Sequence, residues 1–188
     1  MSGVGTIKNK DIPPHLEVIG GCPLRGVLKV SGAKNSSLVL MAAALLTKET
    51  LIIKNVPELT DIEVMSEILR NLGAKLTQRT NAIEINSDSI HNAELPYQLV
   101  HSLRASFFCV GPLLTRLGKA KIPLPGGCNI GARPVDEHII GLKALGAEVE
   151  INNGVVKAQV STKNKRLHGA KITLKYPSVG ATETILMA

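Results

Sequence analysis

The chain has 188 residues, with 22 Lys and Arg against 15 Asp and Glu, and a net charge of +7 at pH 7. That charge favours an anionic partner, which could be nucleic acid, a membrane surface or a phosphorylated metabolite. Two tyrosines, two phenylalanines and no tryptophan are too few for a base-stacking platform, so we expect no nucleic acid. Because no apolar run approaches the roughly 18 residues of a membrane span, we also expect no membrane association.

The three cysteines give no sign of a disulfide framework or a metal site. Cys22, Cys109 and Cys128 lack the paired spacing that either would need, so we expect no metal and a reduced, cytoplasmic protein. Cys22 and Cys109 fit the usual role of a free cysteine as a small buried apolar side chain. The first residues contain no apolar core like that of a signal peptide, and we interpret residues 1–15 as a mobile tail.

The first predicted element is an apolar helix that begins at Lys34, in KNSSLVLMAAALL. A strand in TLIIKNV follows it, and residues 61–72 form an amphipathic helix. The apolar residues of this second helix recur at helical spacing and form one stripe: Ile62, Met65, Ile68, Leu69 and Leu72. Gly73 is the predicted C-cap, and two short strands about a polar turn complete the unit.

The same order of elements occurs again, 73 residues later. A second apolar helix, RASFFCVGPLLTRL, begins at Arg104, and a strand in KAKIPLP follows it. Residues 134–145 form the next amphipathic helix, Gly146 caps it, and the tripeptide NNG forms the turn of a second hairpin. The chain is therefore built from repeats.

A third repeat begins near the C-terminus, where SVGATETILMA resembles the start of the first. An apolar helix interrupted at Ala188 would leave its neighbours uncovered. We therefore expect residues 16–188 to be part of a longer domain, with a truncated third repeat and a missing C-terminal half.

Three predicted helices carry a cation at or just before their first turn: Lys34, Arg104 and Arg133, the last followed by Pro134 at the first helical position. The helix dipole disfavours a cation at this end by roughly 0.3–1 kcal/mol. Their coincidence indicates an anion bound between them, because helix N-termini and cations both bind phosphate or carboxylate. The alternative, three solvated surface charges, stays open at this point.

Cys128 differs from the other cysteines because it lies in the glycine-rich loop PGGCNIGARPVD. The nearby Arg133 and a helix start favour a thiolate, and so a role as nucleophile or proton donor. On these grounds alone, a functional thiol and a small apolar residue are both open interpretations.

Four segments resemble the UDP-N-acetylglucosamine 1-carboxyvinyltransferase family: LRGVLKVSGAKNSSL, RASFFCVGPLL, PGGCNIGARPVD and YPSVGATE. The cysteine loop is the most specific. The resemblance implies an α/β fold, an inside-out barrel of repeated strand and helix units. It also implies transfer of the enolpyruvyl group from phosphoenolpyruvate to the 3'-hydroxyl of UDP-N-acetylglucosamine with release of phosphate, the first committed step of peptidoglycan synthesis, without a cofactor.

The resemblance implies roles for individual residues as well. Cys128 matches the general acid that fosfomycin alkylates, and Lys34 is the second catalytic candidate. Lys34 and Asn35 match a pair that contacts phosphoenolpyruvate and the sugar, whereas Arg104 and Arg133 match phosphate-binding cations. Nucleotide contacts are implied for Arg133, Pro134, Val135, Asp136 and Glu137, and for Tyr176, Pro177, Ser178, Val179 and Gly180.

Tyr176 departs from the family pattern, because some members have a lysine there; that cation is either missing or supplied by Lys175. The base and further arginines are expected in the missing half. Three other interpretations stay open: a 5-enolpyruvylshikimate-3-phosphate synthase relative, which would lack the cysteine loop, a non-catalytic fragment that binds UDP-sugars or other anions, and a nucleic-acid-binding protein.

Overall fold

The computed structural model of the chain describes residues 15–124, 134–162 and 166–188. The chain divides into two units, residues 1–30 and 31–188. Most of the predicted tail, residues 1–14, and the loop that contains Cys128 and Arg133 lie outside the described residues. Residues 15–30 form no helix or strand, and every one of them is exposed.

The two cysteines predicted to be buried differ in their exposure to solvent. Cys109 is buried, as expected, and burial raises its pKa to about 12, so its thiol stays protonated. Cys22 is exposed, so the expectation that it is a buried apolar residue is wrong. It follows Gly21, which has a φ of 99°, and precedes Pro23, in a segment with no regular element to cover it.

Residues 31–188 contain helices and strands in a repeating order. The elements are α1 (Lys34–Ala43), β1 (Thr50–Lys54), α2 (Thr60–Asn71), β2 (Lys75–Arg79), β3 (Ala82–Asn86), α3 (Tyr97–Ser102), α4 (Val110–Leu117), β4 (Lys119–Pro123), α5 (Asp136–Ala144), β5 (Ala147–Asn152), β6 (Val155–Val160) and α6 (Val179–Leu186). Two 3₁₀ helices add to these, one at Ala44–Leu46 after α1 and one at Arg104–Cys109 before α4.

Each repeat forms a three-stranded sheet with the same topology. In the first sheet β3 lies between β1 and β2, and in the second β6 lies between β4 and β5. Since β1 and β2 both pair antiparallel with β3, they run parallel to each other, and α2 connects them as a crossover. The second sheet repeats this pairing, with α5 before β5. The predicted α/β repeat is confirmed.

Turns that need a left-handed backbone end the helices and join the hairpin strands. Gly73 and Gly146 follow α2 and α5 with φ values of 102° and 93°. In the hairpin turns, Asn81 has a φ of 59°, and Asn153 and Gly154 have φ values of 50° and 73°. Both predicted caps and both hairpins are therefore present.

The predicted stripe on α2 faces the core, since none of its five residues is more than 2% exposed. The residues 73 positions later are also buried: Val135, His138, Gly141, Leu142 and Leu145. Leu38 and Met41 of α1 and Leu113 of α4 join the same apolar cluster, so the two apolar helices are buried as predicted. The repeats therefore share one core, and His138 occupies the position that corresponds to Met65.

Two predicted helix starts need correction, and one short helix was missed. The helix at Arg104 begins as a 3₁₀ helix, and α-helix starts only at Val110. Pro112 explains the change, because it lacks an N–H and its ring would collide with the carbonyl of Phe108 in a continuous α-helix. Helix α5 begins at Asp136 rather than at Pro134, since Val135 has a non-helical ψ of 10°. The short helix α3 was not predicted at all.

Helix α6 forms where the third repeat was expected, and two glycines let it pack closely. A Cβ on Gly111 of α4 would lie 2.5 Å from the carbonyl oxygen of Thr184, and one on Gly141 of α5 would collide with Ile185. The absence of side chains at these two positions brings the C-terminal part of α6 next to α4 and α5.

Candidate functional site

A cavity of about 670 Å³ brings together residues from five segments that are far apart in the sequence. Seven of the residues singled out from the sequence line it: Lys34, Asn35, Arg104, Val135, Ser178, Val179 and Gly180. They come from the start of α1, the 3₁₀ helix, the residue before α5 and the start of α6. A second cavity of about 670 Å³, around Arg116 and Arg166, is lined by none of them.

Lys34 is the first residue of α1, where the helix dipole disfavours its charge. Its Nζ lies 2.5 Å from Oδ2 of Asp61, and both side chains are partly exposed. Asp61 lies in the first turn of α2, where the dipole favours a carboxylate. The ion pair therefore offsets the unfavourable position of the lysine and holds its ammonium group at the cavity.

Arg104 lies on the same wall, at the first residue of the 3₁₀ helix. Its Nη2 donates a hydrogen bond to the carbonyl oxygen of Pro134, 3.3 Å away. The contact ties the 3₁₀ helix to the backbone just before α5, so one side chain supplies positive charge to the cavity and fixes its edge.

His138 lines the cavity and was missed by the sequence analysis. Its Nδ1 lies 3.0 Å from Oγ1 of Thr184 on α6, and its ring meets Phe107 edge to face at 4.9 Å. Burial, and secondarily the charge of Arg104, lower its pKa to about 4, although Asp136 opposes the shift. The imidazole is therefore neutral at pH 7. Its place in the stripe, where the first repeat has Met65, was the available signal.

The cavity also contains a carboxyl group that the sequence analysis did not single out. Glu183 of α6 lines it, and burial raises the pKa of this side chain. With Asp61, the wall thus combines two cations with two acids. Such a mixture suits a ligand that carries both phosphate and hydroxyl groups, because carboxylates accept the hydrogen bonds that hydroxyls donate.

The two predicted nucleotide stretches contact each other beside the cavity. Oε2 of Glu137 accepts a hydrogen bond from the backbone N–H of Lys175 at 2.9 Å, and the Tyr176 hydroxyl donates to Oδ1 of Asp136 at 3.3 Å. Ser178 caps α6, because its Oγ accepts a hydrogen bond from the N–H of Ala181 at 3.3 Å.

The structure does not bring all predicted residues to the cavity. Pro134, Asp136, Glu137, Tyr176 and Pro177 flank it without lining it. Cys128 and Arg133 lie outside the described residues, so their positions stay predictions. Gly32, two residues before Lys34, lies against the backbone carbonyl of Asn55.

Sequence profiles assign the chain to a family. The profile of EPSP synthase (3-phosphoshikimate 1-carboxyvinyltransferase) matches residues 18–188. The chain belongs to the EPSP synthase family. Within that family, it is 85% identical over its whole length to the UDP-N-acetylglucosamine 1-carboxyvinyltransferase of Prochlorococcus marinus strain NATL1A, and 84% identical to that of strain NATL2A. The resemblance found in the sequence is thus confirmed. The chain spans 41% of the length of each relative.

A solved member of the EPSP synthase fold gives the same architecture. The enolpyruvyl transferase NikO from Streptomyces tendae superposes with a TM-score of 0.73 over 89% of this chain and 39% of its own, at 24% identity. The likeness confirms the predicted enolpyruvyl-transferase-like fold. Among the described residues, no helix of this family member is long and apolar enough to cross a membrane.

Proposed function

We propose that the chain forms part of a UDP-N-acetylglucosamine 1-carboxyvinyltransferase, with residues 16–188 as a partial enolpyruvyl transferase domain. The observation that carries the proposal is the convergence of Lys34, Asn35, Arg104 and the start of α6 on one cavity. The names of relatives 84% and 85% identical supply the reaction. The substrates are the small molecules phosphoenolpyruvate and UDP-N-acetylglucosamine, and no cofactor takes part.

The proposed reaction has two steps that balance without a redox partner. The 3'-oxygen of the sugar bonds to the phosphate-bearing carbon of phosphoenolpyruvate, while Cys128 gives a proton to the methylene carbon, which becomes a methyl group. Loss of phosphate and of one methyl proton from the resulting ketal restores the double bond. The proton of the attacking hydroxyl passes to a base, which we expect in the part of the protein beyond this chain.

The residues of the cavity hold the charged groups in this scheme. Lys34 and Arg104, with Arg133, neutralise phosphate oxygens, and Asn35 donates hydrogen bonds to substrate oxygens. Residues 134–137 and 176–180 lie along the nucleotide. We place the enzyme in the cytoplasm, at the first committed step of peptidoglycan synthesis, and so upstream of cell-wall growth, cell shape and division.

Activity and cysteine labelling test the proposal together. In the complete natural polypeptide, phosphate should be released from phosphoenolpyruvate with UDP-N-acetylglucosamine and not with shikimate 3-phosphate. Fosfomycin should block the reaction and label Cys128, and Cys128→Ala should lower kcat by about 100-fold or more because it removes the general acid.

The other cysteines provide the controls for this experiment. Cys22 is exposed and is the competing site of alkylation, whereas Cys109 is buried and protonated. Cys22→Ala should therefore leave both the rate and the fosfomycin sensitivity unchanged. Full activity of Cys128→Ala, or mass-spectrometric labelling mainly at Cys22, would show that Cys128 is not the acid.

A non-catalytic role in anion binding is the second candidate, because the chain spans only 41% of its relatives' length yet contains the cavity. Calorimetry on the 188-residue chain distinguishes the two. Binding of UDP-N-acetylglucosamine without phosphate release would favour this second role for the isolated chain.

A further inference from the structure

We propose that Glu137 is a positioning residue, whose buried carboxylate fixes the segment leading into α6 and so sets the cavity wall at Ser178–Gly180. The inference rests on the proposed function for the identity of the ligand. It assigns Glu137 an indirect role, because its side chain is only 1% exposed and does not line the cavity.

The contacts form a clamp of two neighbouring hydrogen bonds. Glu137 accepts from the backbone N–H of Lys175, and Asp136 accepts from the hydroxyl of Tyr176, the next residue. Consecutive residues of α5 thus hold consecutive residues of the segment before α6. Both bonds link parts of the chain about 40 residues apart, and each restrains a segment that has no regular secondary structure of its own.

Comparison of the two repeats shows that the fold itself does not require this carboxylate. The position 73 residues earlier is Val64, on the corresponding helix α2. A buried carboxylate is unfavourable unless hydrogen bonds and nearby dipoles compensate for its lost hydration. The N-terminus of α5 and Lys175 supply part of that compensation, but Oε1 of Glu137 has no hydrogen-bond partner in the described part of the chain. A buried acid at the position where the first repeat has a partly exposed valine indicates a role beyond packing.

The clamp acts on the cavity through a short stretch of backbone. Lys175 lies three residues before Ser178, which caps α6, and residues 178–180 line the cavity. Without the bond to Glu137, the hydrogen bond of Tyr176 to Asp136 would remain between α5 and this segment in the described part of the chain, and the wall would be held less firmly against Val135 and His138. A ligand must then order this segment when it binds, which weakens its affinity.

Three variants of the complete natural polypeptide test the inference. Glu137→Val inserts the residue of the first repeat and removes the acceptor, Glu137→Gln keeps an acceptor for the Lys175 N–H, and Glu63→Val is the control. Glu63 lies in the first turn of α2, is exposed and belongs to neither of the two predicted nucleotide-binding stretches. KM and Kd for UDP-N-acetylglucosamine, kcat, KM for phosphoenolpyruvate and the melting temperature should be measured for each.

Glu137→Val should raise both the KM and the Kd for UDP-N-acetylglucosamine about tenfold, the effect of losing one hydrogen bond to a charged group. Melting temperature, kcat and the KM for phosphoenolpyruvate should change much less than this affinity, Glu137→Gln should recover most of the lost affinity, and Glu63→Val should bind normally. If Glu137→Val fails to fold, Glu137→Asp, whose carboxylate is one methylene too short, should show the same loss.

The contrary outcomes separate the two proposals. Unchanged affinity in folded Glu137→Val or Glu137→Asp would overturn the positioning role while leaving the proposed function intact. A parallel fall in kcat and melting temperature would also overturn it, because that pattern marks a general structural role. If the wild-type polypeptide does not bind UDP-N-acetylglucosamine, the proposed function fails, and this inference fails with it.

Discussion

His138 gives the chain a pH-dependent stability that can be isolated by one substitution. Its pKa is about 4 in the folded chain against 6.5 in water, so the native state favours the neutral imidazole. Between pH 6.5 and 4 the unfolded chain binds a proton at this imidazole that the folded chain does not. The free energy of unfolding therefore decreases as the pH is lowered through this range. The loss should reach about 3 kcal/mol.

His138→Met, which inserts the residue of the first repeat, should remove this component. Urea unfolding at pH 7 and pH 4.5 measures it, and the comparison with wild type cancels the carboxylates that titrate in the same range. The variant should lose less stability on acidification. Equal losses in the two proteins would mean that the imidazole is not neutral in the folded chain.

At the scale of elements, Arg116 joins the two repeats. From α4 it donates Nη1 to the carbonyl oxygens of Leu45 and Thr47, at 2.8 and 2.9 Å, and Nη2 to that of Ser87, at 3.2 Å. These carbonyls lie just after β3 and at or just after the end of the 3₁₀ helix that follows α1. Arg116→Met should lower the free energy of unfolding by about 2 kcal/mol.

Two further variants are the controls for this prediction: Arg116→Lys, and a methionine substitution of the remote Arg70. Arg116→Lys keeps the charge but cannot span three carbonyls, so it should recover only part of the loss. Arg70→Met, at an exposed position in the last turn of α2, should cost less than about 0.5 kcal/mol. Equal effects of Arg116→Met and Arg70→Met in urea unfolding would contradict the bridging role.

The elements that could be predicted are those governed by local pattern. The stripe from Ile62 to Leu72 and the glycine caps depend on neighbouring residues, so the sequence determines them directly. The backbone just before α5 is held by Arg104, 30 residues away, which donates a hydrogen bond to the carbonyl of Pro134. The state of His138 depends on burial by α6 and by Phe107, which no local pattern reports.

The candidate site shows the same limit. The cations at the helix starts grouped Lys34 with Arg104, but residues 178–180 could be added only through the family resemblance, because chain order alone does not show which segments meet. The 73-residue repeat could have predicted more of the site than the sequence analysis took from it. When the two copies are aligned position by position, Glu137 corresponds to Val64 and His138 to Met65. Glu137 and His138 are buried polar side chains where the first repeat has apolar ones, which indicates that this part of the second repeat has more than a structural role.

At the scale of the whole molecule, residues 31–188 contain every member of the apolar core among the described residues, from Leu38 to Met187. Residues 15–30 contribute none, and their apolar side chains are exposed, Leu24 at 96% and Leu28 at 86%. Because burial of apolar surface is the main source of stability, a chain that starts at Ser31 should fold alone.

Calorimetry and circular dichroism on such a chain test this prediction. Its melting temperature should lie within about 3 °C of that of the 188-residue chain, since residues 15–30, the described part of the deleted segment, contain no buried side chain. A matched deletion from the other end, removing α6, should instead unfold the chain or lower its melting temperature by more than 10 °C, on the scale of roughly 2–4 °C per kcal/mol for a chain of this size. That second deletion removes the buried Ala181, Thr184 and Met187, and it exposes the surface formed by Gly111 and Gly141. A large loss from the first deletion would show that residues 1–30 contribute to the folding of residues 31–188.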